Sequence, residues 1–394
     1  MIVNDKRALA HIEEIMSLSP IEGADRIEVA QVLGWKVVVK KGEFQVGDKI
    51  VYIEIDSRVP ADNPHFSFLQ DRKYKVKTIK LRGQISQGLI VPLDVLPRAN
   101  YNIGDDVTDI LGVTKIEDVS LKKEIDTKEV RLQQSHKKLA KRKWFKYMMR
   151  FSWFRELAYK FLLPKKKKSG WPTQFAGVKI TDEERVENMP WVLNDKRPFV
   201  VSCKIDGTST TVIVDHTKRK EEVYVYSRHV RQFRDSQNFH DSTGTDNVYW
   251  QVVDKYNLLD FLRAVIDKYN LKWAAIQGET AGVSNGGAKI QGDPHKFGEL
   301  RFFGFNLIFS DRGRLDSVEA AEIAKEYNVE WVPIVEENFI LPDTMEEFKA
   351  QADGLCEAPG ASGLREGYVY RLREDPNFSF KNISQKYLLK NDSY

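Results

Sequence analysis

Hydrophobic and polar positions divide the chain into three stretches of different period. From about Asp25 to Val107, β-branched and apolar residues come in short runs punctuated by glycine. The clearest runs are Trp35–Lys40, Lys49–Ile55, Lys75–Leu81 and Leu89–Pro92, joined through Gly42, Gly47-Asp48 and Gly83, and they predict strands separated by turns. About five short strands in roughly 100 residues predict a small barrel or sandwich.

The second stretch, about Ile116 to Trp171, loses that alternation. Trp144, Met148, Phe151 and Phe154 or Arg155 recur at helical spacing with Lys and Arg between them. The third stretch, from Pro172, mixes both periods. Leu258, Leu259, Leu262, Val265, Ile266 and Tyr269 fall on one face of a helix predicted over Asp254–Tyr269. A second helix is predicted over Leu315–Tyr327 with Asp316 or Ser317 as cap, and Thr344 with Glu347 makes a capping box for a third. Strand-like runs surround them at Pro198–Val201, Thr210–Val214, Val223–Tyr226, Trp273–Gln277, Leu300–Leu307 and Gly367–Arg371. The pattern predicts an α+β domain with antiparallel strands, without a GxGxxG or GxxxxGK[ST] phosphate loop.

Charge sharpens this division. The 394 residues carry 61 Lys and Arg against 57 Asp and Glu, a formal charge of +4. Thirteen of those bases and one of those acids, Glu156, lie between Lys137 and Lys168, leaving 48 bases against 56 acids elsewhere. A +12 segment therefore sits in a chain whose remainder is mildly acidic. Its Lys137, Lys138, Lys141, Arg142, Lys143 and the run Lys165, Lys166, Lys167 and Lys168 are candidates for phosphate contact, because clustered cations release counterions from a polyanion. A solvated linker helix and a helix lying on anionic lipid fit the same composition.

The aromatic content and the long periodic stretches exclude wholesale disorder. No run of about 18 residues lacks charge, and the N-terminus has no apolar signal core. Two cysteines are too few for a disulfide framework or a structural zinc site. The expectation is a soluble protein of the reducing cytoplasm.

Candidate chemistry concentrates at Lys204-Ile205-Asp206-Gly207, where a predicted strand ends. Alternation puts Lys204 and Asp206 on one face, and Gly207 lets the backbone pass close to a ligand. Alone, a lysine near an acid at a strand end is an ordinary salt bridge. Further elements follow in order: Ser227-Arg228, Gln277-Gly278-Glu279, Phe302-Phe303-Gly304-Phe305, Glu366-Gly367-Tyr368-Val369 and Ser379-Phe380-Lys381, with Lys386 beyond.

This ordered set resembles the covalent nucleotidyltransferases, the ATP-dependent ligases and mRNA capping enzymes, whose attachment motif is Lys-x-Asp-Gly. The resemblance implies that Lys204 is the nucleophile, with Asp206 and Lys381 as the other catalytic residues. It further implies Mg²⁺ or Mn²⁺ held by Asp206, Glu279 and Glu366. Lys204, Gly207, Arg228, Glu279, Phe303, Glu366, Lys381 and Lys386 would contact the nucleotide, with Phe303 packed on adenine. Cys203 stands where many RNA ligases have glutamate, and Ser379 where some relatives have a second lysine.

Text outside these motifs resembles one branch. Gly23–Ala30, Gly34–Lys40, Gly47–Tyr52 and Leu81–Leu89 are similar to an N-terminal OB-fold module, and Thr181–Arg185 with Asn188 resembles an RNA ligase segment. Only 13 residues follow Lys381, too few for a C-terminal OB domain. That order resembles the fifth RNA ligase family. It implies a multidomain chain: an all-β OB-type barrel over 1–115, a basic aromatic linker or insertion over 116–171, and an α+β, ATP-grasp-like nucleotidyltransferase domain over 172–394. The implied function is ATP-dependent sealing of 3′-hydroxyl/5′-phosphate breaks through lysyl-AMP and an adenylylated 5′-phosphate, in nicked duplexes with an RNA 3′-hydroxyl strand. A DNA ligase, a capping-type guanylyltransferase and a non-catalytic RNA- or tRNA-binding protein are the alternatives.

Overall fold

A computed structural model of the chain describes residues 1–3, 6–116, 139, 142–149, 154, 156–158, 162, 171–234 and 247–391. The candidate contacts Lys137, Lys138, Lys141, Lys165, Lys166, Lys167 and Lys168 lie outside these residues, as does the side chain of Lys143. Arg142 is exposed and precedes a helix over Lys143–Met148. On that helix Phe145 packs with Ala158 and Phe154, while Trp144 and Tyr147 face solvent. Among the described residues no helix is long and apolar enough to cross a membrane.

The N-terminal part is the expected all-β, OB-type module. Ala10–Glu14, Lys49–Ile53 and Leu89–Pro92 form one three-stranded antiparallel sheet, and Ser17–Pro20, Ile27–Val32 and Trp35–Lys40 form another. The second sheet shows strict alternation at Trp35–Lys40, where Trp35, Val37 and Val39 are buried between exposed or half-buried neighbours. Lys75–Leu81, expected as one strand, is two: Lys75–Val76 pairs with Ser57–Arg58, and Ile79–Leu81 turns into a hairpin with Gln84–Ser86. Gly83 at φ +83° makes that hairpin turn, a conformation costly for any residue with a Cβ.

The C-terminal part contains two five-stranded sheets. One orders Glu184–Arg185, Ser379–Ile383, Gly367–Leu372, Phe199–Lys204 and Ile334–Phe339. The other orders Glu222–Tyr226, Thr208–Asp215, Trp273–Gly282, Leu300–Phe309 and Gly313–Arg314. All pairings are antiparallel except Glu184–Arg185 with Ser379–Ile383. The chain passes from the first sheet to the second through Ile205-Asp206-Gly207. Because both faces of Phe199–Cys203 are covered, that strand reads as a continuous apolar run rather than an alternating one.

Helices cover the outer face of the second sheet. The helix expected over Asp254–Tyr269 is two, Val248–Lys255 and Leu258–Tyr269, because Asn257 adopts a left-handed conformation at φ 49°. Leu258, Phe261, Leu262, Val265 and Ile266 bury the apolar face of the second helix against the sheet. Each contributes roughly 1.5–3 kcal/mol of burial. The Ser317–Glu326 helix is capped by Asp316, which accepts from Val318 N and Glu319 N, and Thr344 caps Met345–Ala350 as expected.

A buried polar seam joins the two parts. Asn188 accepts from Trp35 Nε1 at 2.6 Å and donates to Glu54 at 2.6 Å and to Glu184 at 2.9 Å. Arg7 bonds Asp182 through Nε and Nη2, at 3.1 and 3.0 Å. Asn188→Ala strands the Trp35 donor away from water, whereas Glu54 Oε1 keeps the N-terminal amine and Glu184 Oε1 keeps Arg7 and the Arg185 N–H. At about 1–3 kcal/mol for an unsatisfied buried group, the expected loss is about 1–3 kcal/mol, read as a lower midpoint in guanidinium unfolding. Trp35→Phe, which removes the donor together with its need for a partner, disturbs this seam less.

Candidate active site

The first sheet brings Lys204 and the Glu366 end of its neighbour together. Lys204 pairs with Gly367 across the antiparallel ladder, which places Glu366 beside the lysine. Lys204 Nζ donates to Glu366 Oε2 at 2.8 Å. Burial alone would lower the lysine's pKa, but Glu366, Glu279 and Asp206 outweigh it and hold it above its ordinary value. Glu366 is correspondingly held low, against burial, by Lys204. The resting site thus carries a protonated lysine.

Lys204 lines a cleft with about 590 Å³ of empty space. Arg228, Glu279, Lys381 and Arg371 line it too, and Phe305, Val332 and Val369 supply apolar wall. Burial pushes the Glu279 carboxyl up to about 8, against the attraction of Lys204 and Arg228. Lys381, brought in by the Ser379–Ile383 strand, is pushed down to about 8 by burial and by Arg7, Arg185 and Lys204, although Asp182 opposes the fall. Lys381 Nζ bonds Asp182 Oδ1 at 3.2 Å. Asp182 also takes Arg7, so the N-terminal module sends a guanidinium to the edge of this cleft. Burial would raise the Asp182 carboxyl, but Lys381, Arg7 and Arg228 hold it well below the usual carboxylate range.

Several expected residues sit elsewhere. Phe303 is 0% exposed and packs among Cys203, Ile205, Ala281 and Val332, leaving no face for a base. Phe305 takes the cleft instead. The cause is a bulge: Asn306 pairs with Gln277 and Gly304 with Gly278, so Phe305 has no partner across the ladder and escapes the alternation that would match it to Phe303. Gly304 permits this, since a Cβ there would meet the Trp331 ring at 2.6 Å.

Lys386 also departs from expectation. Its side chain is 69% exposed and pairs with Asp353 at 3.7 Å, because it lies on the Gln385–Asn391 helix rather than on the strand that carries Lys381. Gly207 answers to the fold rather than to the cleft: a Cβ would stand 2.3 Å from the Thr280 carbonyl oxygen. Asp206 leaves the strand direction. Its backbone N–H donates to His295 Nε2 at 2.8 Å, and its carboxylate accepts from the Tyr387 hydroxyl at 2.5 Å. Burial and Glu366 push that carboxyl up to about 6, opposed by Tyr387 and Lys204.

Asp206, Glu279 and Glu366 do not converge on a point. Among the described residues no group of three or more His, Cys, Asp or Glu forms a metal cage. Yet the donor chemistry fits a hard cation: oxygen ligands only, with burial and mutual repulsion raising two of the three carboxyls, a cost that a bound cation removes.

Asp182, Phe305 and Arg371 are cleft residues that were not singled out from the sequence. Asp182 and Phe305 were within reach, since they lie inside Thr181–Arg185 and Phe302–Phe305. Arg371 is 4% exposed and bonds Ser317 Oγ at 2.9 Å and Phe305 O at 3.3 Å, so it supports the wall as well as lining it. Nothing in the sequence distinguishes it from any arginine on a strand.

Comparison with known proteins places this geometry. A family model for an OB-fold domain matches residues 9–93, and one for RNA ligase matches residues 197–387. No curated protein matches the sequence. Among solved structures, a Naegleria gruberi RNA ligase mutant with AMP and Mn is 30% identical, with a TM-score of 0.72, over 98% of this chain and 100% of that one. The same ligase with PPi is 30% identical with a TM-score of 0.72, over 97% of this chain and 98% of that one. A further mutant with ATP and Mn is 30% identical with a TM-score of 0.71, over 97% and 99%. Since the likeness runs through both the OB-type module and the Lys204 cleft, the chain belongs to the RNA ligase family.

Proposed function

We propose that this RNA ligase uses ATP and a divalent cation to seal 3′-hydroxyl/5′-phosphate breaks in duplexes whose 3′-hydroxyl strand ends in RNA. The observation that carries the chemistry is Lys204 Nζ at 2.8 Å from Glu366, inside a cleft that also holds Lys381 and Arg228. Neutral Lys204 Nζ attacks the α-phosphorus of ATP, the bond to the bridging oxygen of pyrophosphate breaks, and the lysine carries AMP as a phosphoramidate. AMP then passes to a 5′-phosphate, and the 3′-hydroxyl displaces it. The Naegleria gruberi RNA ligase structures with AMP and Mn and with ATP and Mn support this reading.

Each role follows from placement. Lys381 and Arg228 neutralise charge developing on the phosphates. Glu279 and Glu366, with Asp206 behind them, would hold the cation mostly through retained water, and the cation supplies further neutralisation of the phosphates. Lys204 loses the partners that keep it charged once those carboxylates are so engaged. Phe305, Val332 and Val369 form a slot for the adenine. Phe305→Ala removes an aromatic wall, and stacking of about 1–1.5 kcal/mol predicts a roughly tenfold rise in KM for ATP with a smaller change in kcat.

The RNA reading draws on charge outside the cleft. Arg58 stands directly opposite Lys75 in the small sheet of the N-terminal part, beside Lys73 and Lys77. Like charges across a ladder are destabilising, and a phosphate backbone would offset that cost. Asp56, two residues before Arg58, bonds Arg185 at 2.9 Å, so the basic strip begins next to the elements that carry Lys381. In sequence, Arg142, Lys143 and the neighbouring basic segment add further cations.

Incubation with [α-³²P]ATP followed by nicked duplexes tests this function. Covalent label with ATP, and sealing at least tenfold faster with an RNA than with a DNA 3′-hydroxyl end, is the expected result. Label with GTP alone would indicate capping chemistry, and equal sealing rates would defeat the RNA preference. Deleting 137–168 should flatten the salt dependence of nick binding and leave labelling intact.

A further inference from the structure

The residue before the nucleophile is a cysteine, and the chain's other cysteine lies against it. Cys203 Sγ and Cys356 Sγ are 3.8 Å apart, both reduced, and 1% and 8% exposed. They are the only two cysteines in 394 residues and are 153 positions apart in sequence, so their meeting is a product of the fold. Cys203 lines the cleft, whereas Cys356 lies behind it in the loop closed by the Leu355–Leu364 bridge.

We propose that Cys203 and Cys356 form an oxidative modification site, a dithiol that a hydroperoxide converts to an intramolecular disulfide, displacing the end of the strand that carries Lys204. The chemistry balances with hydrogen peroxide as oxidant. The Cys356 thiolate attacks one peroxide oxygen, the O–O bond breaks, and water leaves after protonation. Cys203 then attacks the resulting sulfenic sulfur, the S–O bond breaks, and the second oxygen leaves as water with the proton of Cys203. Two thiols and one peroxide give one disulfide and two waters. Cys356 is the attacking group because its thiol is pulled below its ordinary pKa by Cys203 and His295, whereas the same contact and burial push Cys203 up.

Closure has a mechanical consequence. A disulfide needs an S–S separation of about 2.05 Å, well short of the present 3.8 Å. Neither side can move alone. The Cys203 N–H is bonded to Pro333 O at 2.8 Å, and the Cys356 N–H to Gly363 O at 3.1 Å. Ser362 and Gly363 both donate to His295 O, and His295 Nε2 accepts from the Asp206 N–H. Movement of the loop therefore reaches Asp206 through His295, and movement of the strand reaches Lys204 directly. A shift on the order of 1 Å in a reacting group costs about 10²-fold in rate.

The test treats the full chain with one equivalent of hydrogen peroxide, counts titratable thiols, maps the cross-linked peptide, and then measures covalent AMP labelling. The expected result is loss of both thiols without dimerisation, a peptide joining 203 to 356, and labelling slowed by at least about tenfold and restored by dithiothreitol. Cys356→Ala should label normally and resist peroxide. Persistence of both thiols, or a cross-link between two chains, would overturn the site. An internal cross-link with unchanged labelling would overturn its effect on the cleft. The thiol count and peptide are read without ATP, so if the reduced protein takes no label, the proposed ligase chemistry fails while the dithiol stands or falls on the cross-link.

Discussion

Lys204→Ala protein incubated with [α-³²P]ATP and Mg²⁺ should carry no covalent label, a fall of more than about 10³-fold from wild type, because among the described residues no other amine is placed to take over the first bond. Lys381 is the other lysine among the described residues that line the cleft, and its Nζ is held by Asp182 at 3.2 Å. The same variant should still join a strand already bearing AMP on its 5′-phosphate, since the lysine is spent before that step. Loss of both activities would mean that the substitution disrupted the fold. Retained labelling would move the nucleophile elsewhere and remove the basis for the whole mechanism. Glu366→Gln separates the lysine's charge from its position: without its 2.8 Å partner Lys204 is less firmly held as the cation, yet its strand is unchanged.

Much of this site was legible because its motifs are local. Lys204, Glu279 and Lys381 each lie on a strand and Glu366 immediately precedes one, and a strand fixes where its side chains point once its neighbours are known. Failures occurred where that regularity breaks. Phe303 and Phe305 share a face in any unbroken strand, and only the bulge opposite Gln277 and Gly278 separates them. Lys386 lies five residues beyond Lys381, but the chain has passed from strand to helix between them. Asn257 splits a helix whose apolar face runs on without interruption. Arg7 contacts Asp182 from 175 positions away, a pairing of two modules that no spacing rule addresses.

The pH dependence of ATP consumption separates the two cleft lysines. Lys204 acts as the neutral amine; its carboxylate neighbours hold its pKa above the ordinary value, an effect the cation weakens by engaging them, and while that pKa stays above the neutral range its reactive fraction grows tenfold per pH unit. Lys381 acts as the cation, and burial beside Arg7, Arg185 and Lys204 brings it down to about 8. Its charge is therefore present below that value and lost above it. With saturating divalent cation to keep the carboxylates ionised, kcat/KM for ATP in the labelling step should rise with a slope of about +1 up to pH 8 and flatten beyond, because each further gain in neutral Lys204 is cancelled by a loss of charged Lys381. Lys381→Arg keeps its charge throughout this range. After normalisation at pH 7, its profile should continue to rise, exceeding wild type by about tenfold at pH 9. A break at pH 8 that persists in the arginine variant would assign the titration to another group, with Glu279, also near 8, the first to examine. A wild-type profile without any break would show that Lys381 keeps its proton in the working enzyme, and that Asp182 outweighs the three cations around it.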